Sequence, residues 1–205
     1  MTDAALSAKG TRLNQRGLET RRHVLDVAVR CLATGGPEAV SANLVAKEAG
    51  ATWGVVQHQF GDADGLWAAV LAHIAAQFEP MTPTPAEQGL AERVRAVIEV
   101  LWEAVDLPGS HAIRNLRLAL PRESAAAEVA FPRTAEAIAS WEVQWRAACE
   151  RAFAGLPVDP HKLRRVVALL PGAMLGLRDE QHLVTYVDVD EARRGLTEAV
   201  TAYLS

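Results

Sequence analysis

Side chains able to do chemistry are present in this chain, but they are not spaced for catalysis. The six histidines stand at 23, 58, 73, 111, 161 and 182, with no pair at the His-x-x-x-His spacing that sets two imidazoles on one helical face for a metal. No Gly-rich phosphate loop and no Gly-x-Ser-x-Gly nucleophile elbow occur. Cys31 and Cys149 have neither bridge nor metal-ligand spacing and read as buried free thiols in a reducing compartment. The densest polar run, Arg178-Asp179-Glu180-Gln181-His182, falls on an amphipathic helix and is expected at a solvent face or the rim of an association surface. An enzyme is therefore not expected, and neither a metal nor a cofactor is called for.

A different chemistry, hydrogen bonding to base edges, is offered by Thr52-Trp53-Gly54-Val55-Val56-Gln57-His58-Gln59-Phe60. Thr52 can cap a helix whose buried side is formed by Val56 and Phe60, four residues apart. Thr52, Trp53, Gly54, Val55, Gln57, His58 and Gln59 then lie on faces that are mixed in character and almost uncharged. Such a face can enter a DNA major groove without repelling phosphates. A Gln amide can pair with adenine there, and a Val can touch a thymine methyl.

The elements needed to hold this reader helix are legible just upstream. Val24, Leu25, Ala28, Cys31 and Leu32 share one helical face, and Gly35-Gly36-Pro37 ends a first helix running from Glu19 to Thr34. Ser41 sits where an N-cap belongs for a short second helix, with Leu44, Val45, Ala46 and Ala49 apolar before Gly50. Two short helices joined at Gly50 make a helix-turn-helix. Gly61-Asp62 ends the reader helix and opens a fourth. Between positions 9 and 22 stand five basic residues, Lys9, Arg12, Arg16, Arg21 and Arg22, against one acid, Glu19. A basic arm at that place suits phosphates or a minor groove, and a solvated tail is the alternative. Residues 1–60 carry seven Lys/Arg and five Asp/Glu, whereas the remainder carries fourteen and twenty, so the net charge of −4 hides a positive N-terminal part.

Three spaced blocks, Thr20-Arg21-Arg22-His23-Val24-Leu25-Asp26-Val27-Ala28, Val45-Ala46-Lys47-Glu48-Ala49-Gly50-Ala51 and Leu66-Trp67-Ala68-Ala69-Val70, together with the reader helix, resemble the N-terminal domain of the tetracycline-repressor (TetR) family of transcriptional regulators. The resemblance covers about a quarter of the chain. It implies that Arg16, Arg21, Arg22, Ser41, Asn43, Lys47, Thr52, Trp53, Gly54, Val55, Gln57, His58 and Gln59 meet double-stranded DNA. Two departures stand out, since the family usually has Tyr where Gln57 stands and Lys where Ala63 stands, both phosphate-holding positions. Asp62 and Asp64 flank Ala63, which shifts the expected grip toward Arg16, Arg21, Arg22, Lys47 and the amides at helix starts.

The remainder reads as helix after helix, so the expected fold is all-α: an arm over 1–17, a helix-turn-helix domain over 18–61 and a larger helical effector-binding and dimerisation domain over 62–205. Leu66, Val70, Ile74 and Phe78 mark a fourth helix, and Pro80 to Pro85 a rigid break. Pro85 opens a fifth helix. A sixth spans His111 to Leu120, a seventh Pro132 to Gly155, and two more run over Pro160 to Thr185 and Val189 to Leu204. On the last two, Val166, Leu170, Ala173 and Leu177 with Leu196, Val200 and Tyr203 form apolar faces beside Gly172 and Gly176. Intramolecular packing is one use of these faces. The resemblance implies another, a four-helix homodimer interface, as required to span two half-sites of an inverted-repeat operator.

The resemblance also implies a small-molecule effector site between the fifth and eighth helices. Trp102, His111, Arg114, Arg117, Trp141, Gln144, Trp145, Met174 and Arg178 are the candidates, with core packing the alternative for each Trp and Met174 and a solvated or salt-bridged surface place the alternative for Arg114, Arg117 and Arg178. Repression is the family's usual mode. A helical adaptor that binds other proteins is the rival reading, but it leaves the basic arm and the reader helix unexplained. Met1 to Ser7 lack signal-peptide character and no stretch of about twenty apolar residues occurs, so a cytoplasmic protein without membrane attachment is expected.

Overall fold

The computed structural model describes residues 7–8, 10–77, 88–184 and 186–205. Lys9, Phe78, the Pro80 to Pro85 break, the helix start at Pro85 and the helix end at Thr185 lie outside the described residues. Among those described there are ten α-helices and no strand: α1 (Gln15–Thr34), α2 (Ala42–Glu48), α3 (Trp53–Phe60), α4 (Ala63–Gln77), α5 (Leu90–Val105), α6 (Pro108–Ala119), α7 (Ser124–Ala130), α8 (Pro132–Ala152), α9 (Pro160–Gln181) and α10 (Val189–Leu204). A 3-10 turn at Pro37–Ala39 bridges α1 and α2.

Local chemistry sets most boundaries. Asn14 starts α1 four residues earlier than Glu19, its side chain accepting from the Gly17 amide at 2.9 Å, so Arg16 stands on a helix rather than in an arm. Ser41 Oγ accepts from Leu44 N and Thr52 Oγ1 from Val55 N, each at 3.3 Å. Gly50 adopts φ of 61°, a left-handed turn that a side chain would disfavour. Asp62 Oδ1 accepts from Gly65 N at 2.9 Å and opens α4. Helix α7 has no buried residue, and its alanine-rich sequence carries no apolar periodicity.

Contacts group the residues differently from a division at residue 61. One compact unit holds the described residues of Met1–Phe78 together with Pro108–Trp141, and the other those of Glu79–Leu107 together with Glu142–Ser205. In the first, α6 lies along α1: Ala112 and Leu116 are buried among Leu32, Val45, Val56, Leu66 and Val70, and Asn115 Nδ2 donates to the Leu32 carbonyl at 2.7 Å. A side chain at Gly109 would stand 2.8 Å from Ile74, so the glycine permits the close approach of α6 to α4. Each fully buried Leu here contributes roughly 1.5–3 kcal/mol.

The second unit packs α5, α9, α10 and the C-terminal part of α8 around Val97, Ile98, Phe153, Val166, Leu170, Met174 and Leu204. Arg93, nearly buried, donates from Nη1 to the Ala152 and Ala154 carbonyls at 3.1 and 2.7 Å, placing a cation at the negative end of α8. Pro171 stands inside α9 and deprives the Val167 carbonyl of its donor four residues on. Trp145 supplies the replacement, its indole N–H reaching Val167 O at 3.1 Å.

Candidate nucleic-acid interface

Helix α3 turns Val56 and Phe60 into the first core, and Thr52, Gly54, Val55, Gln57 and His58 are exposed. Trp53 is half-buried and packs against that core, which leaves only part of its ring accessible. On α2, Asn43 and Lys47 are exposed while Ser41 is used as the cap. Arg16 and Arg22 are exposed on α1.

Two residues of the expected DNA set are committed elsewhere. Gln59 is 5% exposed: its Nε2 donates to the Gly17 carbonyl at 3.3 Å, and its Oε1 has no hydrogen-bond partner among the described residues. It stands beside Val56 and Phe60 on the inward side, so its polar type misleads. Arg21 is half-buried, stacks 4.4 Å from the Phe60 ring centroid and donates to the Gln59 carbonyl at 2.7 Å. Burial lowers the pKa of its guanidinium, which nonetheless stays charged at any working pH. Arg21 braces α3 rather than reaching outward.

The C-terminal end of α3 is held with unusual completeness. A helix leaves its last four carbonyls without intrahelical partners. Here Gln57 O accepts from Gly61 N at 2.8 Å, His58 O from Ala8 N at 3.1 Å, Gln59 O from Arg21 and Phe60 O from Arg133 Nη1 at 3.5 Å. The expected free arm is thus partly folded. Ser7 is buried, its hydroxyl accepts from Thr11 N at 3.2 Å, and Ala8 closes onto the reader helix.

Asp62 and Asp64 pair with the start of α8. Arg133 Nε lies 3.1 Å from Asp64 Oδ2, and Arg133 Nη2 pairs with Asp62 Oδ1. The Asp64 carboxylate also accepts from Arg133 N at 3.0 Å, Thr134 N at 2.9 Å and Thr134 Oγ1 at 2.7 Å. Burial alone would raise the Asp64 pKa, but the bonds from Thr134 and Arg133 outweigh it and hold the carboxyl below its ordinary value.

The expected effector residues are divided between the two compact units. His111, Arg114, Arg117 and Trp141 belong to the first, and Trp102, Gln144, Trp145, Met174 and Arg178 to the second. Several are spent on structure: Met174 is fully buried and Trp145 satisfies the carbonyl freed by Pro171. Arg178 stacks 3.7 Å from the Trp102 ring centroid, donates to the Trp102 carbonyl at 2.9 Å and pairs with Asp106 at 3.2 Å. A concavity of about 260 Å³ in the second unit is lined by none of the nine, but by Arg146, Phe153, Leu156, Val158 and Leu163 among others.

The expected dimer set also splits. Val166, Leu170 and Val200 are buried in the core of their own unit, whereas Ala173, Leu177 and Leu196 line an open groove of about 520 Å³ with Gly172, Gly176 and Ala192. Tyr203 is exposed and accepts from Arg165 Nη1 at 3.0 Å. Burial pushes the Cys149 thiol up to about 12, and burial with the Glu48 charge raises that of Cys31. Among the described residues no three His, Cys, Asp or Glu side chains are grouped to hold a metal, and no helix is long and apolar enough to cross a membrane.

Residues 24–70, from the buried face of α1 through Val70 of α4, match the family described as bacterial regulatory proteins, tetR family. Residues 24–70 are a tetR-family domain. The chain is 32% identical over 82 residues to the HTH-type transcriptional repressor AcnR of Corynebacterium efficiens, a match spanning 40% of this chain and 42% of that protein. It is 31% identical over 100 residues to AcnR of Corynebacterium glutamicum, spanning 47% and 52%. The chain thus matches about half the length, or less, of these curated relatives. Beyond the tetR-family domain the whole fold is shared: the multidrug binding protein EbrR in complex with imidazole superposes with a TM-score of 0.63 at 23% identity, covering 98% of both chains. A tetR-family transcriptional regulator from Streptomyces coelicolor gives a TM-score of 0.66 at 18% identity, covering 91% of this chain and 80% of that one.

Proposed function

We propose that this protein is a transcriptional repressor that binds an inverted-repeat operator as a homodimer and is released by a small-molecule effector. The observation that carries the reading is the outward face of α3, where Thr52, Gly54, Val55, Gln57 and His58 are exposed with no acidic side chain among them. Gln57 is the candidate for base readout, Val55 for apolar contact with a thymine methyl, and Arg16, Arg22, Asn43, Lys47 and the amides behind the Ser41 and Thr52 caps for phosphates. That the AcnR proteins are transcriptional repressors supports the sign of regulation.

A single helix-turn-helix reads one half-site, and two half-sites recur at about 34–36 Å or its multiples. The groove along α9 and α10, smooth at Gly172 and Gly176, is a seat for the same face of a second copy. An effector acts by favouring a form of the dimer in which the two α3 helices no longer match that spacing, for which a coupling of about 1–3 kcal/mol is typical. EbrR is a multidrug binding protein, which makes a small organic molecule the natural class to screen.

Selection of bound sequences from a random duplex library tests the reading, followed by fluorescence anisotropy of the winner against scrambled DNA at two salt concentrations. An inverted repeat held far more tightly than the scramble is expected. Weak, sequence-blind binding that salt abolishes would overturn the proposal.

A further inference from the structure

The Asp62, Asp64 and Arg133 cluster links parts of the chain about seventy residues apart at the C-terminal end of α3. Helix α8 opens at Pro132, and its first amides, those of Arg133 and Thr134, are capped by the carboxylate of Asp64 on α4. Thr134 is wholly buried, and its hydroxyl donates to Asp64. The Arg133 guanidinium lies over Gly65, where a Cβ would stand 2.5 Å from Nη1, so the missing side chain makes the seat for the cation. From that seat Arg133 reaches both carboxylates and the last carbonyl of α3, Phe60 O. Asp62 and Asp64, which flank Ala63 where no phosphate grip was expected, are engaged in an internal tie.

We propose that Arg133 is a positioning residue for DNA reading: it sets the pose of α3 from its C-terminal end, making the start of α8 a determinant of operator specificity. This rests on the reading of α3 as the DNA reader. Each of the other three carbonyls at that end takes its donor from the same unit's N-terminal half, namely Gly61, Ala8 and Arg21. Arg133 alone brings in a helix distant in sequence, one that continues past residue 141 into the other compact unit. A shift of α8 along its axis therefore acts on Phe60, Asp62 and Asp64 together. Small changes in reader pose fall first on base contacts, which are short and directional, and only weakly on phosphate attraction.

The test uses the full chain and the duplex chosen by selection. Anisotropy is measured on operator and on scrambled DNA across a salt series for the wild type, Arg133→Gln, Arg133→Lys and Asp62→Asn. Arg133→Gln should weaken operator binding about 10-fold, the equivalent of one lost charge-assisted hydrogen bond, with scrambled-DNA affinity and salt slope unchanged. Arg133→Lys should recover part of the loss, because an ammonium meets a carboxylate but lacks the fork. Asp62→Asn, at a largely exposed side chain, leaves folding intact and should cost about two- to three-fold on operator alone.

Wild-type operator affinity in both Arg133→Gln and Asp62→Asn would overturn the proposal while leaving the DNA reading intact. Equal loss on operator and scramble with a flatter salt slope would overturn it too, by making Arg133 a phosphate contact. Absence of any preferred sequence for the wild type would instead remove the DNA reading on which it stands.

Discussion

Helices α3 and α9 turn opposite kinds of surface to solvent. Both bury one apolar stripe, Val56 and Phe60 in α3, Val166, Leu170 and Met174 in α9. Outside that stripe α3 and its Thr52 cap show Gln57, His58 and Thr52, whereas α9, after the exposed Arg164 and Arg165 of its first turns, shows Leu169, Gly172 and Gly176 along its middle. A helix face with hydrogen-bonding groups and little charge matches base edges and phosphates, and a smooth apolar face matches another helix. The two helices also satisfy their carbonyls differently. Two carbonyls at the end of α3 accept from guanidinium groups, while the interior gap in α9 is closed by one neutral indole.

The most severe break is expected at α9. Among the described residues, nothing beyond its chain neighbours and the backbone of its own helix lies within 4 Å of where a Cβ at Gly176 would stand, so Gly176→Arg leaves the monomer's packing intact and places a charge in the groove. Sedimentation velocity should find a monomer, and operator affinity should fall by on the order of 100-fold or more as two half-sites cease to be bound together. A dimeric Gly176→Arg protein would remove the distinction between the two outward faces.

On the α3 side, Gln57→Ala should cost about 1–3 kcal/mol of operator affinity and relax one base position, read by repeating the selection with the variant. Unchanged specificity would assign the reading to its neighbours. Trp145→Phe keeps the ring but strands the Val167 carbonyl and should destabilise the protein by about 1–3 kcal/mol in chemical denaturation, equally at every pH between 4 and 8.

The smallest effect separates ionic from neutral ties. Because the folded-state pKa of Asp64 is lowered, its contribution to stability is fully present above the ordinary carboxylate value of about 4 and is lost as pH falls through the lowered one. Acid titration of the unfolding free energy should show this loss in the wild type, and Asp64→Asn should flatten it. An unchanged acid slope would mean that the cluster does not hold the folded unit.

Features governed by a few neighbouring residues were legible in the sequence. Ser41, Thr52 and Asp62 cap as their types require, Gly50 takes the left-handed turn, and Leu66, Val70 and Ile74 face the core. Features set by partners were not. Nothing local tells that Asp64 meets Thr134, or that the apolar face of α6 belongs on α1 rather than with the helices that follow it. Gln59 reads as a surface amide until Gly17 and Arg21 are placed beside it. Helix α7 escaped because its alanine-rich sequence has no apolar period, and the apolar stripe of α9 and α10 gave no sign of which residues face inward.

Pro171 has a consequence for how the second unit assembles. Helix α9 contains a backbone group that its own segment cannot satisfy, and the donor that satisfies it sits 22 residues earlier on α8. The middle of α9 is therefore unfinished until α8 has docked. The two should gain protection from hydrogen exchange as one cooperative block, and the amides around Val167 should open only when Trp145 leaves.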